Sequence, residues 1–169
     1  TIGGKTLREH LEVVNHRDAI LYIEDIVSKK EVFSEWQIKS IHRLILKGID
    51  DENAGAYRKE NVMISGAKHI PPEFICVQHE MELFIQWYEA KAQKLHPIER
   101  ACLVHAIFVK IHPFIDGNGR TARLLLNLEL MKTGYPPVVV KKEKRSEYYD
   151  ALDKAHTTGD YKDFINIIA

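Results

Sequence analysis

Apolar side chains recur every three to four positions over most of this chain, and that rhythm predicts helices. Leu11, Val14, Ile20, Ile23 and Val27 fall at helical intervals and predict a helix over Arg8–Lys30. Ser34-Glu35-Trp36-Gln37 has the form of a capping box, which predicts a second helix opening there and running to about Gly48. Pro71-Pro72 reads as the start of a helix continuing to about Lys94, and Pro97 as the start of the next. Leu103, Ile107, Phe108 and Ile111 form one stripe within Glu99–Ile111. Leu124, Leu125, Leu128 and Met131 form another within Thr121–Gly134, where Gly134 is a natural stop. Ser146–His156 predicts a further helix ending near Gly159, with a last short helix after it.

Three stretches break the pattern. Residues 49–58 are polar and contain glycine, hence loop, and Tyr135–Val140 is an extended connection through Pro136-Pro137. Asn61–Ile70 alternates in character around Ser65-Gly66-Ala67-Lys68 and predicts a short β-hairpin. The expected fold class is therefore all-α, one compact helical domain over residues 1–169 with a single hairpin. A two-stranded ribbon on a helical domain has no sheet to join, so its backbone edge is free.

Composition narrows the function classes. Lys+Arg and Asp+Glu both number 24, so no basic excess recommends nucleic acid as a partner. The densest basic cluster, Lys141-Lys142-Glu143-Lys144-Arg145, is short and interrupted and reads as a solvated loop. No apolar run approaches 18 residues, so no membrane partner is expected. Cys76 and Cys102 stand far apart without metal-ligand spacing and read as buried thiols in a reducing, cytoplasmic setting.

Candidate chemistry concentrates in HPFIDGNGRTAR, residues His112 to Arg123. His112 is a base suited to neutral pH, and Asp116 is a hard oxygen ligand for Mg²⁺. Gly117 and Gly119 flank Asn118 at a junction between two predicted helices, where first-turn amides and the positive helix end can hold an anion. Arg120 and Arg123 supply planar forks for phosphate oxygens. Each fragment alone is commonly a cap, a turn or a solvated face. All of them in order at one junction point to phosphate chemistry.

This run matches the His-x-Phe-x-(Asp/Glu)-Gly-Asn-Gly-Arg-x-x-Arg signature of Fic-domain proteins, and the chain resembles them from about Lys5 to its end. TIGGKTLREHLEVVNH, GAYRKENV, HIPPEF, TGYPPVVV and RSEYYDAL are similar to Fic-family segments in their usual order. The resemblance implies transfer of AMP from ATP, with Mg²⁺, to a hydroxyl of a target protein. On that reading His112, Asn118 and Arg123 are catalytic and Asp116 holds the metal. Phe114, Gly117, Asn118, Gly119, Arg120, Arg123, Tyr148, Tyr149 and His156 face the nucleotide, with the tyrosines at the adenine. The segment Val62, Met63, Ile64, Ser65, Gly66, Ala67, Lys68, His69, Ile70 becomes a flap that pairs with the target by strand addition. Gly55-Ala56-Tyr57-Arg58 is read as a structural brace for that flap.

Three further expectations follow from the resemblance. Glycine at 119, where Doc-type relatives carry lysine, favours nucleotidyl over phosphoryl transfer. The inhibitory pattern (Ser/Thr)-x-x-x-Glu-(Gly/Asn) of many Fic enzymes is found nowhere in these 169 residues, and the sequence is read as a fragment whose upstream regulatory helix is missing. Self-modification and homo-oligomers are compatible with this reading. The alternatives are removal of AMP from a modified protein, or a toxin-like module that binds nucleotide without transfer.

Overall fold

The computed structural model describes residues 3–169, and its centre is a pair of helices, α4 (Pro97–Ile111) and α5 (Asn118–Lys132), packed along one another. Both are buried over most of their length because their apolar positions go nearly all the way round. Ala101, Cys102, Val104, Ala106 and Phe108 of α4 meet the core beside Ala122, Leu124, Leu125, Leu126 and Leu128 of α5. A helix hydrophobic on all sides has to be central, and the other five cover this pair. On one side α1 (Leu7–Lys29) packs on α5 and on α2 (Glu35–Leu46), and α2 also packs on α5. On the other, α3 (Val77–Ala90), α6 (Arg145–Thr158) and α7 (Lys162–Ile168) pack on α4.

Local signals set the helix ends. Thr6 and Glu9 form a full capping box at α1, a pair that the sequence carries as Thr-x-x-Glu. At α2 only half of the expected box forms. Ser34 Oγ accepts from Gln37 N at 3.3 Å, but the Gln37 amide turns to Glu31. Pro97 opens α4 at its first position as expected. Past α5, Gly134 takes φ +83° and Tyr135 N–H reaches back to the Leu130 carbonyl, the stop that the glycine predicted.

Three expectations are corrected. Residues 61–70 form no β-strand, although the turn at their centre is real. Ala67 N–H bonds to the Ile64 carbonyl at 3.2 Å with Gly66 at φ +75°. The arm after the turn is held by a side chain of α6 instead of by the arm before it, so no ladder forms. Pro71-Pro72 does not start α3. The Pro72 carbonyl is taken by Arg58, the chain passes through a 3-10 turn at Phe74–Cys76, and the α-helix begins at Val77. Cys76 is exposed in that turn, and only Cys102 is buried.

A polar knot fixes α3, α4 and α5 together. Glu129 is fully buried and accepts from Tyr88 Oη (2.8 Å), Arg100 Nε (3.2 Å) and Lys132 Nζ (3.2 Å). Burial and the neighbouring carboxylate together push the Tyr88 phenol well above its ordinary range. Removing one partner of a buried ion pair strands the other, at a cost of about 3–5 kcal/mol. Glu129→Ala is therefore expected to lower the thermal midpoint by about 10 °C, read by circular dichroism. A midpoint within about two degrees of the parent would show that the knot contributes little.

Candidate active site

His112 sits directly after α4, where the helix ends in the left-handed region (φ 53°, ψ 58°). That conformation is unusual for a residue with a Cβ and persists only where the surroundings fix it. Arg58 does so. Its Nε donates to the His112 carbonyl at 2.7 Å and its Nη2 to the Ile111 carbonyl at 3.3 Å, satisfying two orphan carbonyls of α4. The same guanidinium bonds the carbonyls of Glu60 and Pro72, and Arg58 N–H bonds that of Pro113. Arg58 thus ties His112 to both ends of the 61–70 segment, a wider role than the brace expected of it.

The connection from His112 to Gly117 is closed from within. Asn118 Oδ1 accepts from Phe114 N (2.9 Å) and its Nδ2 donates to the Phe114 carbonyl (2.7 Å), so the side-chain amide is spent on the loop. Phe114 is fully buried and stacks on His42 with centroids 3.6 Å apart. Both residues were expected to face the nucleotide; here the Asn118 amide closes the turn between α4 and α5, and the Phe114 ring packs on His42 beneath it. His42, on α2, is the residue that sequence reasoning missed. Its Nδ1 accepts from Gly55 N (2.9 Å), so the proton is on Nε2, which donates to the Asp116 carbonyl at 2.7 Å. Burial pushes this imidazole down to about 4, against the pull of the Asp116 carbonyl. Gly117 at φ +80° lies against it; a Cβ there would come within 3.4 Å of His42 Nε2. One histidine among nine carries no sequence mark of this job.

The chemistry of His112 follows from its partners. Nδ1 lies 3.2 Å from the Val109 carbonyl and must carry the proton there, leaving Nε2 as the basic atom. Burial lowers its pKa, opposed by the Val109 carbonyl and assisted by the charges of Arg58 and His69. The imidazole is neutral and ready to accept a proton at neutral pH. No side chain caps the N-terminus of α5, so its first-turn amides remain open to an anion.

Around that terminus the charges divide. Arg120 pairs with Asp116 (3.5 Å) and Glu12 (3.7 Å), and Arg8 of α1 pairs with the other Asp116 oxygen at 3.1 Å. Arg123 has no carboxylate partner among the described residues, and its Nη1 lies 3.3 Å from where a Cβ on Gly119 would stand. His16 on α1 is near both arginines; burial first, then their charges, hold its imidazole below its ordinary range. Among the described residues no group of three or more His, Cys, Asp or Glu side chains could hold a metal ion. Asp116 offers a single half-exposed carboxylate. That fits Mg²⁺ only in the mode where one carboxylate shares the ion with phosphates and water.

These groups open onto one cavity of about 450 Å³. The expected base His112 lines it, as do Gly119, Arg123, Tyr148, Tyr149 and His156 of the expected nucleotide residues and Ile64, Ser65, Gly66 and Ala67 of the expected flap. Gly117, Asn118, Arg120, Phe114 and Asp116 stand behind or beside it, as do Val62, Met63, Lys68, His69 and Ile70. Tyr148 is buried, with its hydroxyl against His105 Nε2, while Tyr149 is half exposed with its ring edge-on to it. His156 donates from Nε2 to the Ala106 carbonyl at 2.8 Å and so braces α6 on α4. Asp153 of α6 holds the flap, accepting from Lys68 N and His69 N at 3.1 Å each. Partial burial pushes its carboxyl up, but those two amides and the nearby histidines outweigh this and hold it below the usual range. Asp153 followed Tyr148-Tyr149 by one helical turn, the only signal by which the sequence could have placed it at this site.

A neutral imidazole, an uncapped helix terminus and a guanidinium without a carboxylate partner among the described residues converge on one cavity of an all-helical domain, beneath the segment that Asp153 tethers. The Fic/DOC family model matches residues 32–130, more than half of the chain, and the chain belongs to that family. It is 40% identical over 99% of its length to a protein adenylyltransferase Fic of Nematostella vectensis, and 38% identical to that of Drosophila mojavensis. It spans only 39% and 33% of those two relatives. Among solved structures, Fic-1 (residues 134–508) from C. elegans superposes with a TM-score of 0.88 at 37% identity, over 99% of this chain and 50% of that one. A Fic-domain-containing signaling protein from Bacteroides thetaiotaomicron superposes at 0.86 and 31% identity, over 98% and 69%. No helix among the described residues is long and apolar enough to cross a membrane.

Proposed function

We propose that this chain transfers AMP from ATP to a hydroxyl side chain of a target protein and releases pyrophosphate. The observation that carries this reading is His112, a neutral base whose free Nε2 shares a cavity with Gly119 and Arg123. Nε2 takes the proton from the target hydroxyl, and the oxygen attacks the α-phosphorus. The new O–P bond forms as the bond from that phosphorus to the bridging oxygen breaks, and the electron pair leaves with pyrophosphate. Open amides at the α5 terminus and the Arg123 guanidinium face the charge that grows on the phosphoryl oxygens. Asp116 would hold Mg²⁺, which supplies charge neutralisation for the phosphates. Asn118 acts through the loop that it closes. The names of the relatives, protein adenylyltransferase Fic, support this reaction class.

Target binding is assigned to the flap. Val62, Met63 and Ile64 alternate between half-buried and exposed side chains before the turn, while the arm after it is fastened to Asp153. The leading arm is the one free to accept an added strand from a target or from a second copy of this chain. Cytoplasmic residence belongs to the same proposal and rests on the two unpaired cysteines. Pyrophosphate release can be followed with a coupled pyrophosphatase. The reading expects it to depend on added acceptor protein, and phosphate release with no pyrophosphate would contradict it.

The Arg8–Asp116 pair sets a smaller expectation. A cation beside Asp116 opposes a second one, and a pair this exposed is weak and well screened by solvent. Arg8→Ala should lower the Mg²⁺ needed for half-maximal transfer by about two- to fivefold. An unchanged Mg²⁺ titration would show that Arg8 does not compete with the metal.

A further inference from the structure

His105 is wholly buried, and no step of the reaction uses it. It lies on α4 about two helical turns before His112, on the same face. Its ring packs against those of Tyr148 and Phe164, with centroids 5.5 and 5.0 Å away. Nε2 is hydrogen-bonded to the Tyr148 hydroxyl, whereas Nδ1 has no partner among the described residues. Burial, helped by the charges of Arg123 and His156, pushes the imidazole down to about 3, so it is neutral and holds a single ring proton. A buried polar atom left without a partner is rare in a folded protein and calls for a reason. Leucine is close to histidine in volume and would fill this place with no orphan at all.

The reason lies on the far side of Tyr148. That residue is itself buried and lines the main cavity beside Arg123, and the two also share a smaller recess next to it. Burial pushes the Tyr148 phenol up to about 12, while the Arg123 guanidinium, by its charge and by a hydrogen bond, pulls it down. A guanidinium only donates, so a tyrosine oxygen that meets it must accept. The hydroxyl proton then points away from Arg123, and the Nε2 lone pair of His105 receives it. That arrangement leaves the imidazole proton on Nδ1, the atom without a partner. The orphan is the end of a one-way chain in which Arg123 donates to Tyr148 and Tyr148 donates to His105. With the proton on Nε2 instead, the tyrosine proton would be turned toward the guanidinium, and two donors would face each other.

We propose that His105 is a positioning residue that acts through the Tyr148 hydroxyl to keep the Arg123 guanidinium facing the cavity of His112. It touches neither nucleotide nor target. The proposal rests on the AMP-transfer reading, in which Arg123 serves the phosphates, and it adds the buried group that fixes the direction of that side chain. An arginine released from Tyr148 still carries its charge but no longer holds one geometry, and a planar fork depends on geometry.

The test joins NMR of the histidine ring nitrogens at neutral pH to transfer kinetics in His105→Leu, His105→Gln, Tyr148→Phe and the His105→Leu, Tyr148→Phe double variant. In the parent, His105 should be the tautomer with its proton on Nδ1. His105→Leu should lower kcat/KM for ATP about tenfold. Its thermal midpoint should stay within a few degrees of the parent, because one hydrogen bond and one orphan are lost together. Tyr148→Phe should show the same loss, and the double variant no further one, since the two residues act as a single chain. His105→Gln should recover most of the activity, because its side-chain oxygen can accept from the Tyr148 hydroxyl. A proton on Nε2 of His105 would overturn the proposal whether or not the chain transfers AMP. So would losses that add in the double variant, a His105→Gln variant no better than His105→Leu, or parent-like transfer in His105→Leu. Should His105→Leu not fold, Tyr148→Phe and His105→Gln decide the matter: parent-like transfer in the first, or a tenfold loss in the second, would overturn the proposal. A parent with the Nδ1 proton that transfers no AMP would leave the donor chain standing and sink the transferase reading.

Discussion

Replacing His112 with alanine is expected to lower AMP transfer by about 10²–10⁴-fold while leaving ATP affinity within a few-fold of the parent. The size follows from the loss of the proposed general base. Nothing else lining the cavity pairs a neutral ring nitrogen with such a position, since His156 is committed to the Ala106 carbonyl. ATP binding survives because the anion contacts come from the α5 terminus and Arg123. Structure survives in large part because Arg58 grips the backbone carbonyls of Ile111 and His112 and ignores the imidazole. Alanine carries some strain at φ 53°, so His112→Asn is the companion variant; asparagine tolerates the left-handed region and cannot act as the base. In the parent, the depressed His112 pKa sets the pH profile. The base is the neutral form, so kcat/KM should be flat at and above neutrality and fall only as pH drops below the usual histidine range. A tenfold loss between pH 8 and pH 7 would contradict that assignment.

The fold itself should weaken steeply in mild acid. Three buried histidines are neutral in the native state. Burial pushes His42 and His156 down to about 4, and His105 down to about 3 with help from the charges of Arg123 and His156. In the unfolded chain each takes a proton near 6.5. Below that pH the unfolded state binds more protons than the native one, so stability is fully present above about 6.5 and drains away as pH falls toward 4. Each histidine contributes about 1.4 kcal/mol per pH unit, so the three together account for roughly 4 kcal/mol by pH 5.5, a large part of the stability of an ordinary domain. Urea unfolding at pH 7.5 and pH 5.5 checks this directly. The midpoint should drop sharply at the lower pH; coincident midpoints would mean that these imidazoles are solvated and titrate freely.

How much of this was legible in the sequence depended on whether a residue's partners are near it in the chain. The α4–turn–α5 unit was readable because its evidence is local: the Leu124, Leu125, Leu128 stripe, Pro97 at a helix start, and glycines around Asn118. The paired tyrosines were readable for the same reason, since adjacent helix positions must face about 100° apart. The flap misled because its alternation is real but its partner is not a strand. The amides of Lys68 and His69 end on Asp153, more than eighty positions away. Asn118 misled because an exposed amide and a loop-closing amide share one letter, and only the 2.7 Å bond to the Phe114 carbonyl separates them. His42 was invisible in another way. A histidine on an amphipathic helix has an ordinary meaning, and its place beside the Asp116–Gly117 turn comes from the packing of α2 on α5.

The central claim is that the α-phosphorus, and not the γ-phosphorus, is the point of attack, with His112 as the base. It is tested most directly by incubating the chain with Mg²⁺, candidate acceptor proteins and ATP labelled in parallel at the α- and the γ-phosphate. Label on protein from the α-position alone, lost in His112→Ala, is the predicted result. Label from the γ-position, or α-label that persists in His112→Ala, would contradict it.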